Sequence, residues 1–180
     1  MTQWTNESAI EQWGTMPRAA LDAMEPHGDF VKRHLLNPVM LRLLGDVRGR
    51  RVLDAGCGQG YFSRMLAERG AEVTGVEPAE ALIAYSRDKE AEHHQGIRYL
   101  QADLSKPLDL AALGGPFDAV VSSNVLPAVP GWKAVLAAVT PAGRQALADE
   151  IQAPREIVQA VERDSAVAAR PVPRPGPARA

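Results

Sequence analysis

From Arg51 onward the chain alternates short apolar runs with longer stretches whose apolar positions recur at helical spacing. VLDAG (52–56) is a brief apolar run halted by glycine, and it predicts a first strand. Phe62, Met65, Leu66 and Arg69 then fall at helical spacing, the arginine contributing its aliphatic stem, and Gly70 is the expected stop. VTGVE (73–77) predicts a second strand and ALIAYSRDKEAE (81–92) a second helix. IRYLQ (97–101) and FDAVVS (117–122) predict the third and fourth strands, and a proline-containing loop separates the last from a helix at GWKAVLAAV (131–139). Strands alternating with helices of this length predict an α/β fold built on a doubly wound parallel sheet with right-handed crossovers.

The first 48 residues carry a helical pattern instead, and predict a helical N-terminal segment (1–48) distinct from the α/β domain at 49–140. Pro17 suits a first helical position, with RAALDAM continuing one short helix toward Pro26. Asp29 is placed to cap a second helix carrying Phe30, Val31, His34 and Leu35 on roughly one face. Asn37-Pro38 reads as the cap and first position of a third, VMLRLL, stopped by Gly45. Beyond residue 140 the texture changes again. Residues 141–180 hold six of the 14 prolines and none of the nine aromatic residues. They predict a weakly helical stretch and then a disordered tail rich in proline, arginine and alanine, because such a segment cannot bury enough apolar surface to offset its ordering entropy.

Composition narrows the function classes. Twenty Lys and Arg stand against 22 Asp and Glu, a net charge of −2, so no basic field is available to hold a nucleic-acid backbone. The single cysteine, Cys57, excludes an internal disulfide framework and a cysteine-built zinc site, and no metal is expected. The opening MTQWTNESAIEQW lacks a basic stretch followed by an apolar one, and the longest apolar run, Ala134 to Val139, is far too short to span a bilayer. The expectation is a soluble, cytoplasmic protein with no membrane and no nucleic-acid partner.

Chemistry concentrates in Val52-Leu53-Asp54-Ala55-Gly56-Cys57-Gly58-Gln59-Gly60-Tyr61, where an apolar strand enters a glycine-rich turn and then a helix. Glycines at 56, 58 and 60 permit backbone torsions barred to other residues and let a ligand approach the main chain. A plain strand-to-helix turn would also use them. Tyr61 stands where a dinucleotide fingerprint wants its third glycine, and Asp54 just before the turn suits a cationic ligand better than a pyrophosphate. Glu77 closes the second strand, where a doubly wound fold places a carboxylate for ribose hydroxyls, although a solvated strand end is the plainer alternative. Asp103 follows the third strand and could accept from an adenine amino group, or simply cap a turn. Ser122, Ser123 and Asn124 end the fourth strand, at the sheet edge that lines ligand crevices.

Together VLDAGCGQGY, VTGVEP, QADL and FDAVVSSNVL, in that order, resemble the class I S-adenosylmethionine-dependent methyltransferases over roughly Arg51 to Val139. The resemblance implies a Rossmann-like sheet and S-adenosyl-L-methionine as cofactor. It implies that Asp54, Gly56 and Gly58 surround the methionine moiety, that Glu77 binds the ribose, and that Asp103 with Leu104 flanks the adenine. Cys57, Gly60, Pro78 and Ser122 complete the expected cofactor contacts. The implied activity is methyl transfer to a small-molecule acceptor, with the helical N-terminus as the cap that contacts it. No catalytic residue is assigned. His27, Asp29 and His34 are the candidate bases, each with a plainer reading as loop, cap or packed residue. Trp4 and Trp13 could stack on an acceptor or anchor the cap.

The chain departs from that family after about residue 139. TPAGR (140–144) resembles a remnant of the family's proline-glycine-glycine turn, but no run of β-branched or aromatic residues follows it. The expected sheet is therefore 3-2-1-4 with later strands missing, as in a truncated or frame-shifted copy. The fourth strand would then be an open edge, inviting self-association. The competing functional readings are a non-catalytic cofactor-binding remnant and a nucleotide-dependent oxidoreductase.

Overall fold

Each of the four apolar runs becomes a strand. The computed structural model describes residues 4–106, 111–123, 125, 129–131 and 135. The predictions for the tail at 141–180, and for most of the helix at 131–139, lie outside the described residues. Strands β1 (Arg51–Ala55), β2 (Glu72–Glu77), β3 (Arg98–Gln101) and β4 (Ala119–Val121) form one parallel sheet in the order β3-β2-β1-β4. In this register Ala55 lies opposite Val76, Glu77 opposite Gln101, and Asp54 opposite both Gly75 and Val121. The acidic side chains of β1 and β2 thus arrive at the same carboxyl edge of the sheet.

Strand alternation splits the core into two layers. Val52, Val73 and Val121 pack with Phe62, Leu66 and Ile83 on one face, joined by Met40, Leu41 and Leu44. Leu53, Ala55 and Val76 pack with Leu104, Leu113 and Phe117 on the other. Burial on both faces is the reason β1 and β2 read as nearly continuous apolar runs rather than as alternating ones. The crossovers are α4 (Tyr61–Ala67) and α5 (Glu80–His93), the latter ending with His94 in the left-handed conformation at φ 52°.

The N-terminal segment differs from its reading in three respects. Helix α1 (Asn6–Gly14) opens with a reciprocal cap in which Thr5 Oγ1 accepts from the Ser8 amide at 3.2 Å and Ser8 Oγ accepts from the Thr5 amide at 2.9 Å. Pro17 is the extended residue before α2 (Arg18–Asp22), one position ahead of its expected place. Asn37-Pro38 starts no new helix. A π-helical turn, Lys32–Leu36, runs directly into α3 (Asn37–Leu44), with helical torsions at both Leu36 and Asn37. A wider turn accommodates Pro38, which has no amide to donate and whose ring crowds the preceding turn. Asn37 is instead buried, its Nδ2 donating to the His27 carbonyl at 2.8 Å and its Oδ1 accepting from Tyr61 Oη at 3.1 Å.

Asp29 does cap this helix, its Oδ1 accepting from the Lys32 amide at 2.9 Å. The apolar residues that share one face of it are exposed. Phe30 is 77% exposed and Leu35 61%, and Val31, Val39 and Leu43 are exposed with them. The helix docks through Asn37, Met40, Leu41 and Leu44, in the turns that follow those residues. The cap is tied to α5 by Tyr85 Oη donating to Asp22 at 2.8 Å and by the Arg18–Asp88 ion pair, also at 2.8 Å. Leu21, Ala79, Leu82 and Tyr85 form a small core beneath it, against which Ile10, Met16 and Met24 pack. No helix among the described residues is long and apolar enough to cross a membrane.

Candidate functional site

The turn between β1 and α4 is braced from three sides. Glu77 accepts from the Gly58 amide at 3.1 Å through one carboxylate oxygen and from the Ala79 amide at 3.0 Å through the other. Ser86 Oγ donates to the Gly58 carbonyl at 3.0 Å, and Arg64 donates to the Gln59 carbonyl at 3.0 Å while pairing with Glu25. Gly58 and Gly60 both hold positive φ, at 57° and 81°, but for different purposes. A Cβ at Gly58 would meet nothing within 4 Å, and the residue lines an open cavity. A Cβ at Gly60 would stand 2.5 Å from Tyr99 Oη and 2.9 Å from Ser86 Oγ, so this glycine serves close packing behind the turn.

The carboxylates beside that turn are electrostatically loaded. Asp54 is 2% exposed, and burial raises its pKa to about 6, with a hydrogen bond from Ser63 at 2.6 Å opposing and the Glu77 charge reinforcing the rise. Burial also raises Glu77, against its two backbone donors. Two buried carboxyls side by side, both costly to ionise, favour a ligand that brings positive charge or hydroxyl donors. Asp103 behaves differently. Burial works against its charge, but hydrogen bonds from the Ser105 hydroxyl and amide and the Lys106 charge hold its carboxyl below the usual range. Burial pushes the Cys57 thiol well up, which leaves it a poor nucleophile.

The cavity measures about 200 Å³ and opens at the carboxyl edge of the sheet. Of the ten residues singled out from the sequence, Asp54, Gly56, Cys57, Gly58, Glu77, Pro78, Asp103 and Leu104 line it. Gly60 and Ser122 do not; Ser123, one residue on, takes the place expected of Ser122. None of the three candidate bases lines it either. His34 is exposed, its ring tilted at 46° with its centre 4.5 Å from that of Phe30, Asp29 is exposed as the helix cap, and His27 contributes its carbonyl to Asn37. Trp13 lines the cavity and Trp4 does not.

The opposite wall was not legible in the strand-and-turn pattern. It comes from α1 and the loops after it through Ala9, Ile10, Trp13, Met16 and Met24, with Val125 and Val129 beside them. Asn6 closes this side by accepting from the Gly131 amide at 2.8 Å. Lys32 and Gln59 also line the cavity, and no sequence motif marks either. The capping box before α1 was the available signal for a real helix there. Nothing in the sequence indicates that the helix faces the sheet edge. The result is a polar, acidic wall facing an apolar one, suited to a ligand with a charged, hydroxyl-bearing part and an apolar neighbour.

A family model described as a methyltransferase domain matches residues 52–144. Among curated proteins, the ubiquinone biosynthesis O-methyltransferase of Idiomarina loihiensis is 36% identical over 118 residues, covering 63% of this chain and 48% of that protein. The protein of the same description from Glaesserella parasuis is 31% identical over 137 residues, covering 73% of this chain and 57% of its own length. The chain spans about half the length of the curated relatives it matches. Among solved structures, an S-adenosylmethionine-dependent methyltransferase from Mesorhizobium loti aligns at 34% identity and a TM-score of 0.50, over 58% of this chain and 47% of that one. Magnesium protoporphyrin IX methyltransferase from Synechocystis, solved with S-adenosylmethionine bound, aligns at 22% identity and a TM-score of 0.58 over 78% and 73%. At that identity the likeness is one of fold.

Proposed function

The chain belongs to the methyltransferase-domain family, and from that premise we propose that its cavity binds S-adenosylmethionine and that it methylates a small-molecule acceptor. The observation that carries the reading is one wall of one cavity, where the Asp54 and Glu77 carboxylates stand beside a Gly58 backbone with free space in front of it. The residues fit the cofactor. Glu77, anchored by two backbone amides, is positioned to accept from ribose hydroxyls, and Asp103 with Leu104 to border the base. Asp54 supplies negative charge next to the open backbone. When bound, S-adenosylmethionine supplies an activated methyl group on a positively charged sulfur. The protein then has mainly to hold donor and acceptor in line at a separation of about 3–3.5 Å. Ile10, Trp13, Met16 and Met24 exclude water from that meeting point and suit an acceptor with an apolar or aromatic body. The O-methyltransferase names of the curated relatives support an oxygen as the methylated atom.

The net charge of −2 supports a reading without a nucleic-acid partner. Self-association through β4 is part of the same reading, because β4 is the last strand in the order of the described sheet and carries Val120-Val121. Calorimetric titration with S-adenosylmethionine, S-adenosylhomocysteine and NAD, beside a radiolabelled methyl-transfer assay with phenolic acceptors, tests the proposal. Binding of the first two with transfer supports it. Binding without transfer to any acceptor reduces the chain to a cofactor-binding protein, and preferential binding of NAD overturns the reading.

A further inference from the structure

Five of the seven large apolar side chains left exposed among the described residues fall within fourteen consecutive positions: Phe30, Val31, Leu35, Val39 and Leu43. They belong to one continuous helical run, 30–44. Its other side is already used, since Met40, Leu41 and Leu44 pack on the α/β core and Asn37 bonds Tyr61. Val31, Leu35, Val39 and Leu43 follow one another at intervals of four, a line about 18 Å long at about 1.5 Å per residue. Residues four apart drift by about 40° round an α-helix. The π-helical turn Lys32–Leu36, where the Asn37 amide donates to the Lys32 carbonyl five residues back, offsets that drift and keeps the line on one side.

The charge along this run is as one-sided as its apolar surface. Between Phe30 and Arg50 stand Lys32, Arg33, Arg42, Arg48 and Arg50 against one acid, Asp46, in a chain whose net charge is −2. Lys32 is paired with Asp29 at 2.8 Å. The four arginines are exposed, and none of them forms an ion pair among the described residues. Asp46 is occupied locally, accepting from the Arg48 amide at 3.0 Å. Arg42 falls between Val39 and Leu43, and Arg48 and Arg50 follow the end of the helix, so free cations accompany the apolar line.

That pairing of apolar line and free cations selects what covers the face. A second copy of the chain would bring the same arginines against these ones, and like charges across an interface oppose association. A lipid surface with anionic headgroups matches both halves. Apolar side chains enter the boundary with the acyl chains, while arginine stems lie along it and their guanidinium groups meet phosphates. We propose that the helical run 30–44 is a peripheral docking surface for an anionic phospholipid bilayer. The sequence expectation of no membrane partner rested on the lack of a spanning run, which bears on crossing a bilayer and not on lying at its surface. The proposal is independent of the cofactor reading, because none of these five apolar residues and four arginines lines the cavity.

Co-sedimentation of the full-length chain with vesicles tests it, using phosphatidylcholine alone and an equal mixture of phosphatidylcholine and phosphatidylglycerol. The wild type is expected to partition onto the anionic vesicles at least about tenfold more strongly, since each arginine near such a surface contributes about 1 kcal/mol. Raising salt from about 0.1 M to about 1 M should release most of it, because the screening length falls to about 3 Å. Phe30→Ser with Leu35→Ser should weaken partition about tenfold or more through lost apolar burial. Arg33→Gln with Arg42→Gln should remove most of the preference for anionic vesicles. Both pairs are exposed, so both variants should melt as the wild type does. Failure of the wild type to bind anionic vesicles, equal binding to both kinds, or undiminished binding in both variants overturns the proposal. A lipid-free dimer that the serine pair dissolves gives the face to a second copy, and retention on poly-L-glutamate without vesicle binding gives it to an acidic protein; either result overturns it. A serine pair that unfolds the chain or lowers its melting temperature by several degrees means that the chain's own residues cover the face, which overturns it too.

Discussion

Asp54 is neutral or charged at different cost in the folded and unfolded chain, and that difference is measurable. Its folded pKa of about 6 lies above the ordinary value of 3.8. The folded chain therefore holds the proton more tightly. Asp54's contribution to stability is fully present below the unfolded pKa and is lost as pH rises through about 6, to the extent of about 3 kcal/mol. Asp54→Asn keeps an acceptor for Ser63 and removes the titration. The ligand-free variant should melt higher than the wild type at pH 8, with the two curves converging toward pH 4. Parallel curves would show that Asp54 is not a buried carboxyl. A sulfonium ligand should reverse the trend, binding more tightly as Asp54 ionises.

Two glycines separate ligand space from packing space at the same scale. Gly58→Ala places a methyl group in the open cavity and carries the left-handed penalty of about 1–2 kcal/mol. Gly60→Ala carries that penalty and also drives a methyl into the Tyr99 and Ser86 hydroxyls. Thermal melts should show Gly60→Ala to be clearly the more destabilised, with Gly58→Ala folded and deficient in binding. Equal melting temperatures would mean that the turn does not distinguish its two glycines.

At the level of elements, the strands and the acidic ends of β1 and β2 were legible because each depends on local sequence. An apolar run buried on both faces has one way to pack, and a carboxylate that follows it must lie at the strand's end. The cap was less legible because tertiary contacts decide its details. Asn and Pro favour helix starts, so Asn37-Pro38 read as one; the π-helical turn instead carries the helix through and turns Asn37 inward. Phe30, Val31 and Leu35 face outward although they share a face. Asn37→Ala should cost about 1–3 kcal/mol, since the Tyr61 hydroxyl and the His27 carbonyl both lose a partner in a buried setting. Leu35→Ala should change stability by no more than about 0.5 kcal/mol. Chemical denaturation of both variants checks the contrast, and a larger loss at Leu35 would mean that the exposed stripe is covered.

For the molecule as a whole, the cavity exists because two differently coded parts of the chain meet. The α/β part supplies acids and open backbone at its sheet edge, and the N-terminal helices supply an apolar wall across from it. Half of that arrangement follows from the glycine-rich turn and the carboxylates at the carboxyl ends of β1 and β2. The other half, from Asn6 to Lys32, follows only from how the cap docks on α5. The most direct test of the account is a calorimetric titration of the wild-type chain and Gly58→Ala with S-adenosylhomocysteine, with NAD as the comparison ligand. Saturable one-site binding of S-adenosylhomocysteine to the wild type, none of NAD, and loss of binding in a variant that still melts cooperatively are expected. Failure of the wild type to bind, or equal affinity in folded Gly58→Ala, would contradict it.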